Sequence, residues 1–336
     1  MFCERVEMGK MGRILGLFSV AVLLMVMGLF SGGVEANMKS PPPERAKVII
    51  IGDRVVDIAY NLGVVPEAMS VRASLWPMAH HLKTAVRILG CPRCITVKNP
   101  QAVPEALKEF DIHRVIIEKS DPFCLYKPEI TAERIASVLK DSGATIEYVD
   151  FSEGLESAVH QTAVLLNRED RIAPLMEKYG KAMDKASAKL SQEKSGKKVL
   201  ILNGIFQGST GRTILRVEAP GGYTDRFLLD VLGFVNCGDV FKPQGGEAEK
   251  GYYMVRRQKG GVDLSPLLTA DPDIIVMTGD VAGIQKALAE HCAADPATAK
   301  VKAFQSMALY ALPLYVDSSV LEYPELLQQW IAALIP

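Results

Sequence analysis

At 336 residues the chain exceeds one ordinary domain and suits two of roughly 100–150 residues each. Hydrophobic content of 49% with 23% charged residues excludes a disordered chain. A formal net charge of -1, with no long basic run, excludes the electrostatic footprint of a nucleic-acid-binding protein.

In chain order, Arg5, Lys10 and Arg13 precede an apolar run from Ile14 to Phe30. Small residues follow in Ser31-Gly32-Gly33-Val34-Glu35-Ala36, with Val34 and Ala36 at the two positions a signal peptidase reads. This order predicts a secretory signal peptide over residues 1–36 and export to the periplasm. The alternative is an uncleaved anchor, because the apolar run is nearly long enough to span a bilayer. No cysteine sits at the exit, so lipid attachment there is not expected. Residues 37–45, with Pro41-Pro42-Pro43, read as an extended tether. Loss of the leader removes Cys3 from the six cysteines and leaves Cys91, Cys94, Cys124, Cys237 and Cys292. An odd count in an oxidising compartment leaves at least one thiol unpaired, buried or ligating.

Residues 46–150 read as a first lobe. Lys47 to Ile51 is a β-branched strand ending at Gly52-Asp53, and Asp57 to Leu62 a helix stopped by Gly63, with Pro66 just beyond. Arg114–Glu118 and Ala144–Val149 are further strands, with a helix over Thr131–Lys140 between them. Strands alternating with helices predict a parallel sheet covered on both faces. Residues 151–195 carry no strand signal. Val159, Ala163, Leu166, Ile172, Leu175, Met176, Tyr179 and Met183 recur at helical spacing, which predicts one long helix from Leu155 to about Leu190. Residues 196–336 restart the same grammar: a strand at Lys198–Leu202, a glycine-rich loop from Asn203 past Gly208, Gly211, Gly221 and Gly222, and a helix at Asp225–Leu232. Strands at Asp273–Met277 and Leu314–Val316 and a terminal helix at Tyr323–Leu334 complete it. The expected fold class is α/β: two Rossmann-like lobes with central parallel-type sheets, joined by one long α-helix.

Four stretches carry a family resemblance. They are Val48-Ile49-Ile50-Ile51-Gly52-Asp53 with Ala59-Tyr60-Asn61-Leu62-Gly63, then Ala144 to Asp150, then Phe227 to Phe234, and Leu264 to Val276. Through them the chain resembles the substrate-binding proteins of ABC importers for iron-siderophores, heme and cobalamin. The resemblance implies a ligand held between the lobes, no catalysis and no catalytic cofactor. It also implies a monomer whose partners are an ABC permease and its ATPase at the inner membrane. Two stretches depart from the family: Val103 to His113, where a leucine-rich phrase is usual, and Leu89-Gly90-Cys91-Pro92-Arg93-Cys94.

Ligands of open α/β sheets sit outside the carboxyl ends of the strands, so the loops after Ile51, Glu118, Leu202, Met277 and Val316 are the ones to inspect. Trp76, Met78, His80 and His81 follow the first strand and helix, and imidazole and thioether groups suit transition metals or heme iron. Neighbours on a helix diverge by about 100°, so only one of His80 and His81 can face the crevice. Cys91 and Cys94 are open to three readings: a redox dithiol, half of a metal site, or a local disulfide. A redox dithiol wants a strand before its first thiol, whereas a helical segment ending at Leu89-Gly90 is expected here. Cys124 could join the cluster. In the second lobe Arg212 and Arg216 suit a carboxylate-bearing chelate, while Tyr223, Tyr252, Tyr253, Arg256, Arg257 and Tyr323 could wall a flat ligand. The candidate metal ligands are His80, His81, Cys91 and Cys94. The transported ligand is accordingly expected to be a metal ion or metal chelate. The alternatives are an exported thiol-disulfide redox enzyme using Cys91 and Cys94, or a metal-binding protein outside transport. Hydrolase motifs are absent from the sequence.

Overall fold

The computed structural model describes residues 42–190, 195–258 and 261–335. The expected signal peptide, residues 1–36, and most of the tether lie outside them. No helix among the described residues is long and apolar enough to cross a membrane.

The first sheet holds β1 (Glu44–Ile51), β2 (Val64–Ser70), β3 (Arg87–Ile88), β4 (Arg114–Lys119) and β5 (Thr145–Asp150), all parallel, in the order β3-β2-β1-β4-β5. The run Val48-Ile49-Ile50-Ile51 shows why it is covered on both sides. Val48 and Ile50 enter one core with α1 (Asp53–Asn61), and Ile49 and Ile51 enter a second core with α3 (Ala102–Glu109) and α4 (Ala132–Val138). Between α1 and α3, α2 (Met78–Leu82) precedes β3. β2 and β3 had no counterpart in the expected elements. Pro66 reads as a stop, yet it is accommodated where the β1–β2 register slips between Ala46 and Ile49. The winding reverses between β1 and β4, so their carboxyl ends form the switch point, the place where open α/β sheets bind ligands.

The stretch expected as one helix is divided. α5 (Leu155–Leu166) ends at Asn167, which adopts the left-handed conformation (φ 55°), and a short 3-10 turn leads into α6 (Ile172–Ser187). α5 buries Ala158, Val159, Ala163 and Leu166 in the first lobe. α6, about 24 Å long at 1.5 Å per residue, is the bridge. It sets Ile172, Leu175 and Met176 against the first-lobe core, and Ala186 in a second-lobe core.

The second sheet runs β13-β12-β6-β7-β9, from β6 (Lys198–Gln207), β7 (Arg212–Glu218), β9 (Tyr252–Met254), β12 (Ile274–Gly279) and β13 (Leu309–Ala311), with β8 (Val235–Asn236) also pairing β6. It is mixed: β8 and β12 lie parallel to β6, and β13 parallel to β12, but β7 runs antiparallel to both β6 and β9. β10 (Arg257–Gln258) and β11 (Gly261–Val262) form a separate small ladder. The expected glycine-rich loop after Leu202 is instead a hairpin. β-branched and aromatic residues carry β6 on to Gln207, and only Gly208 to Gly211 turn the chain. The last strand also falls earlier than the expected Leu314–Val316. Pro313 cannot donate to a ladder, and Tyr315 to Ser318 leave the sheet and are buried. α7 (Val281–Ala294) covers one face of this sheet, and α8 (Tyr323–Leu334) packs beside α6.

Candidate functional site

At the carboxyl ends of β1, β2 and β4 the two lobes meet through buried charges. Asp53, first residue of α1, accepts from the Arg72 backbone N–H and from Arg72 Nε, each at 2.7 Å, and from the Ser318 hydroxyl at 2.6 Å. Arg72 also donates to Asp317 Oδ1 at 2.9 Å and to the Tyr223 hydroxyl oxygen at 2.7 Å. Arg54 pairs with Asp317 and lies 3.5 Å from Glu118, which in turn accepts from Ser120 at 2.6 Å. Burial alone would lower the pKa of Arg72, but the carboxylates of Asp53 and Asp317 outweigh it and hold the guanidinium charged. Burial pushes the Glu118 carboxyl up, against the pull of Arg54 and Arg72. Breaking a buried pair of this kind costs about 3–5 kcal/mol, because one charge is stranded without water. Two more contacts cross the seam: Trp76 Nε1 donates to the Ser319 hydroxyl at 3.0 Å, and the Leu321 N–H to Asp57 at 3.2 Å.

Beside this network lies a cavity of about 260 Å³. Its first-lobe wall is Arg72, Cys91, Arg93, Cys94, Lys98, Cys124, Tyr126 and Lys127 among others, and Lys250 reaches it from the second lobe. The lining thus has five basic side chains, three thiols and no carboxylate. Gly90 makes the thiol turn possible: its φ is +113°, and a Cβ there would sit 3.1 Å from Cys94 Cβ. The Gly90 carbonyl is held by the Val71 N–H and the Ser70 hydroxyl, both at 3.0 Å. The Sγ atoms of Cys91 and Cys94 lie 3.0 Å apart, and all five described cysteines are free. Burial pushes the Cys91 thiol up. Partial burial opposes ionisation of Cys94 too, but its bond to Cys91, with Lys98 and Arg93 nearby, lowers its pKa.

The model of the family described as periplasmic binding protein matches residues 127–315, over half of the 336 residues. The chain belongs to that family. It is therefore a binding protein rather than an enzyme, and its family works outside the cytoplasm. Solved structures agree on the fold. The periplasmic heme-binding protein BhuT, in complex with two hemes, is 15% identical with a TM-score of 0.54, over 86% of this chain and 97% of that one. RhuT from Roseiflexus sp. RS-1, a periplasmic heme-binding protein in apo form, is 15% identical with a TM-score of 0.51, over 87% and 97%. HutB of Vibrio cholerae, also a periplasmic heme-binding protein, is 17% identical with a TM-score of 0.50, over 87% and 99%. No curated protein matches in sequence.

In this binding protein the anticipated site residues are dispersed. His80 and His81 are both exposed on α2, and neither lines the thiol cavity. Trp76 is fully buried, and Met78 packs against the first-lobe core. Among the described residues no three His, Cys, Asp or Glu converge as a metal site. Arg212 and Arg216 stand on β7 rather than in an anion-binding loop. Arg212 is exposed beside Arg257 and Lys286, and Arg216 donates to Asn203 at 2.7 Å and stacks 3.6 Å from the Tyr252 ring centroid. Tyr253 donates to Asp239 at 2.8 Å, and Arg256 is exposed. Tyr323 donates to the Phe227 carbonyl at 2.7 Å and packs against Tyr315, so it belongs to second-lobe packing. Tyr223 does reach the seam, accepting from Arg72 and from the Leu125 N–H at 3.0 Å. Cys91 and Cys94 reach the cavity. They follow strand β3 and open a helical turn, not the helical segment expected before them. That is the local geometry of a redox dithiol, but membership of a binding-protein family removes the enzyme reading. Arg72, Tyr126 and Lys250 were missed. Recognition of β2 would have flagged Arg72 at a strand end; Tyr126 lies in the loop after Glu118 that the strand-end rule marks, and Lys250 lies in a loop with no local signal.

Proposed function

We propose that this chain is the substrate-binding component of an ABC importer. Exported through the signal peptide of residues 1–36, it captures a metal ion or metal chelate between its lobes and delivers it, as a monomer, to a membrane permease and its ATPase. The observation that carries the reading is the thiol-lined, cationic cavity at the lobe seam, set at the carboxyl ends of the first sheet. Fold neighbours described as heme-binding support a metal-bearing cargo. Capture needs no chemistry: the ligand stabilises the closed arrangement, and docking on the permease reverses it.

The test is thermal-shift screening of residues 37–336 against nickel, cobalt, zinc, copper and iron ions, heme, cobalamin and several siderophores. A ligand at 100 times its Kd stabilises the fold by about 2.7 kcal/mol, so a true cargo raises the melting temperature. A response confined to metal-free organic solutes would remove the metal-or-chelate reading.

A further inference from the structure

We propose that Cys91 and Cys94 are the cargo ligands of the seam cavity, and that the cargo is a soft ion of low coordination number, with the cuprous ion as type case, held as a bis-thiolate. This rests on the binding-protein reading above and narrows its ligand.

Four observations converge. The two Sγ atoms are 3.0 Å apart on one cavity wall, so a small rotation of either side chain lets both touch one ion, with Cys124 in the same lining. The donor count selects the metal. Among the described residues no three His, Cys, Asp or Glu converge, so the closely placed donors are two thiols, short of the four of a structural zinc site and unlike the oxygen donors that calcium takes. Two thiolates can complete the shell only of a soft ion that accepts few donors.

Charge points the same way. Of the five basic side chains that line the cavity, Arg72 is paired with Asp53 and Asp317 and Arg93 lies 4.0 Å from Glu129, so the positive field comes mainly from Lys98, Lys127 and Lys250 and disfavours a bare hard cation. A monovalent ion held by two thiolates carries a net charge of about -1, which such a lining stabilises. Size agrees as well: about 260 Å³ falls below the roughly 300–1,000 Å³ of pockets for larger organic ligands. The balance is simple. Each thiol loses its proton to solvent, two sulfur–metal bonds form, and no electron is transferred.

The test uses residues 37–336, fully reduced and titrated anaerobically with cuprous ion, in glutathione sufficient to strip ions from single thiols. One ion per chain should bind, with sulfur-to-metal charge-transfer absorption, proton release and a raised melting temperature. Cys91→Ser and Cys94→Ser should each lower the affinity by about 10²–10⁴-fold, the gain lost when one of two tethered donors is removed. Cys237→Ser and Cys292→Ser should bind as the unaltered chain does. Melting of each ion-free variant shows that it is folded. Binding that survives in either Cys91→Ser or Cys94→Ser overturns the proposal, as does a Cys91–Cys94 disulfide that resists reduction. If heme, cobalamin or a siderophore raises the melting temperature and cuprous ion does not, this inference fails and the importer reading stands. If no metal-bearing compound does, this inference and the metal-or-chelate reading both fail.

Discussion

Asp57 lies fully buried on α1 where the second lobe covers it, accepting from the Leu321 N–H. Burial, with Glu322 and Asp53 as like-charged neighbours, pushes its carboxyl up to about 8. Burial likewise raises Glu218, in the second lobe, to about 7. The folded chain keeps protons that the unfolded chain releases above about pH 4, the ordinary carboxylate range. Their stabilisation is complete below that value and is lost as pH rises through about 7 and 8. Urea unfolding is therefore expected to show stability falling from about pH 5 to about pH 8 on this account, and Asp57→Asn should flatten the slope. Equal slopes in the two proteins would refute the assignment. At this scale little was legible beforehand. Asp57 reads as an ordinary polar residue of an amphipathic helix, and only the second lobe's approach makes it a buried acid.

α6 is the element that holds the lobes at a set distance, and its helical spacing was plain from Ile172 through Met183. The break at Asn167 was not, because the apolar repeat runs on through it while the backbone turns left-handed there. Gly180 sits inside α6, where a Cβ would meet nothing within 4 Å. Gly180→Ala is expected to raise stability by about 0.5–1 kcal/mol, by restricting the unfolded chain without disturbing packing. Chemical denaturation measures it, and any loss of stability would mean α6 bends at this point. The β6–β7 hairpin makes the opposite case. Its glycines suggested a ligand-binding loop, but strand pairing from Leu202–Val217 to Gln207–Arg212 outweighed the flexibility they confer.

At the scale of the whole molecule, Tyr126 of the first lobe rests on Gly251 of the second. Gly251 has φ +82°, and a Cβ there would drive into the Tyr126 ring. Gly251→Ala should therefore part the lobes. Small-angle scattering is expected to show a larger radius of gyration, and the cargo-induced rise in melting temperature should shrink. Adding Tyr126→Ala should return the scattering curve toward that of the unaltered chain, whereas strain at a positive φ alone would not be relieved by it. An unchanged radius in Gly251→Ala would show that this contact does not govern closure.

Local pattern determined what depends on neighbours in the chain. The β-branched run at Val48–Ile51, the helical repeats, the alternation of strand and helix and the C-x-x-C turn could all be read directly, and with them the two-lobed α/β class. Tertiary structure alone decided which side chains share the site. Asp53, Arg72, Tyr223, Asp317 and Ser318 are joined across up to 265 positions of sequence, and Tyr126 meets Gly251 only because the two lobes pack against each other. The physical reason is that burial and charge pairing are properties of the assembled interface. His80 and His81 carry apt donors yet face water, while Cys91 and Cys94 line a cavity with five basic side chains, one of them, Lys250, brought from the second lobe.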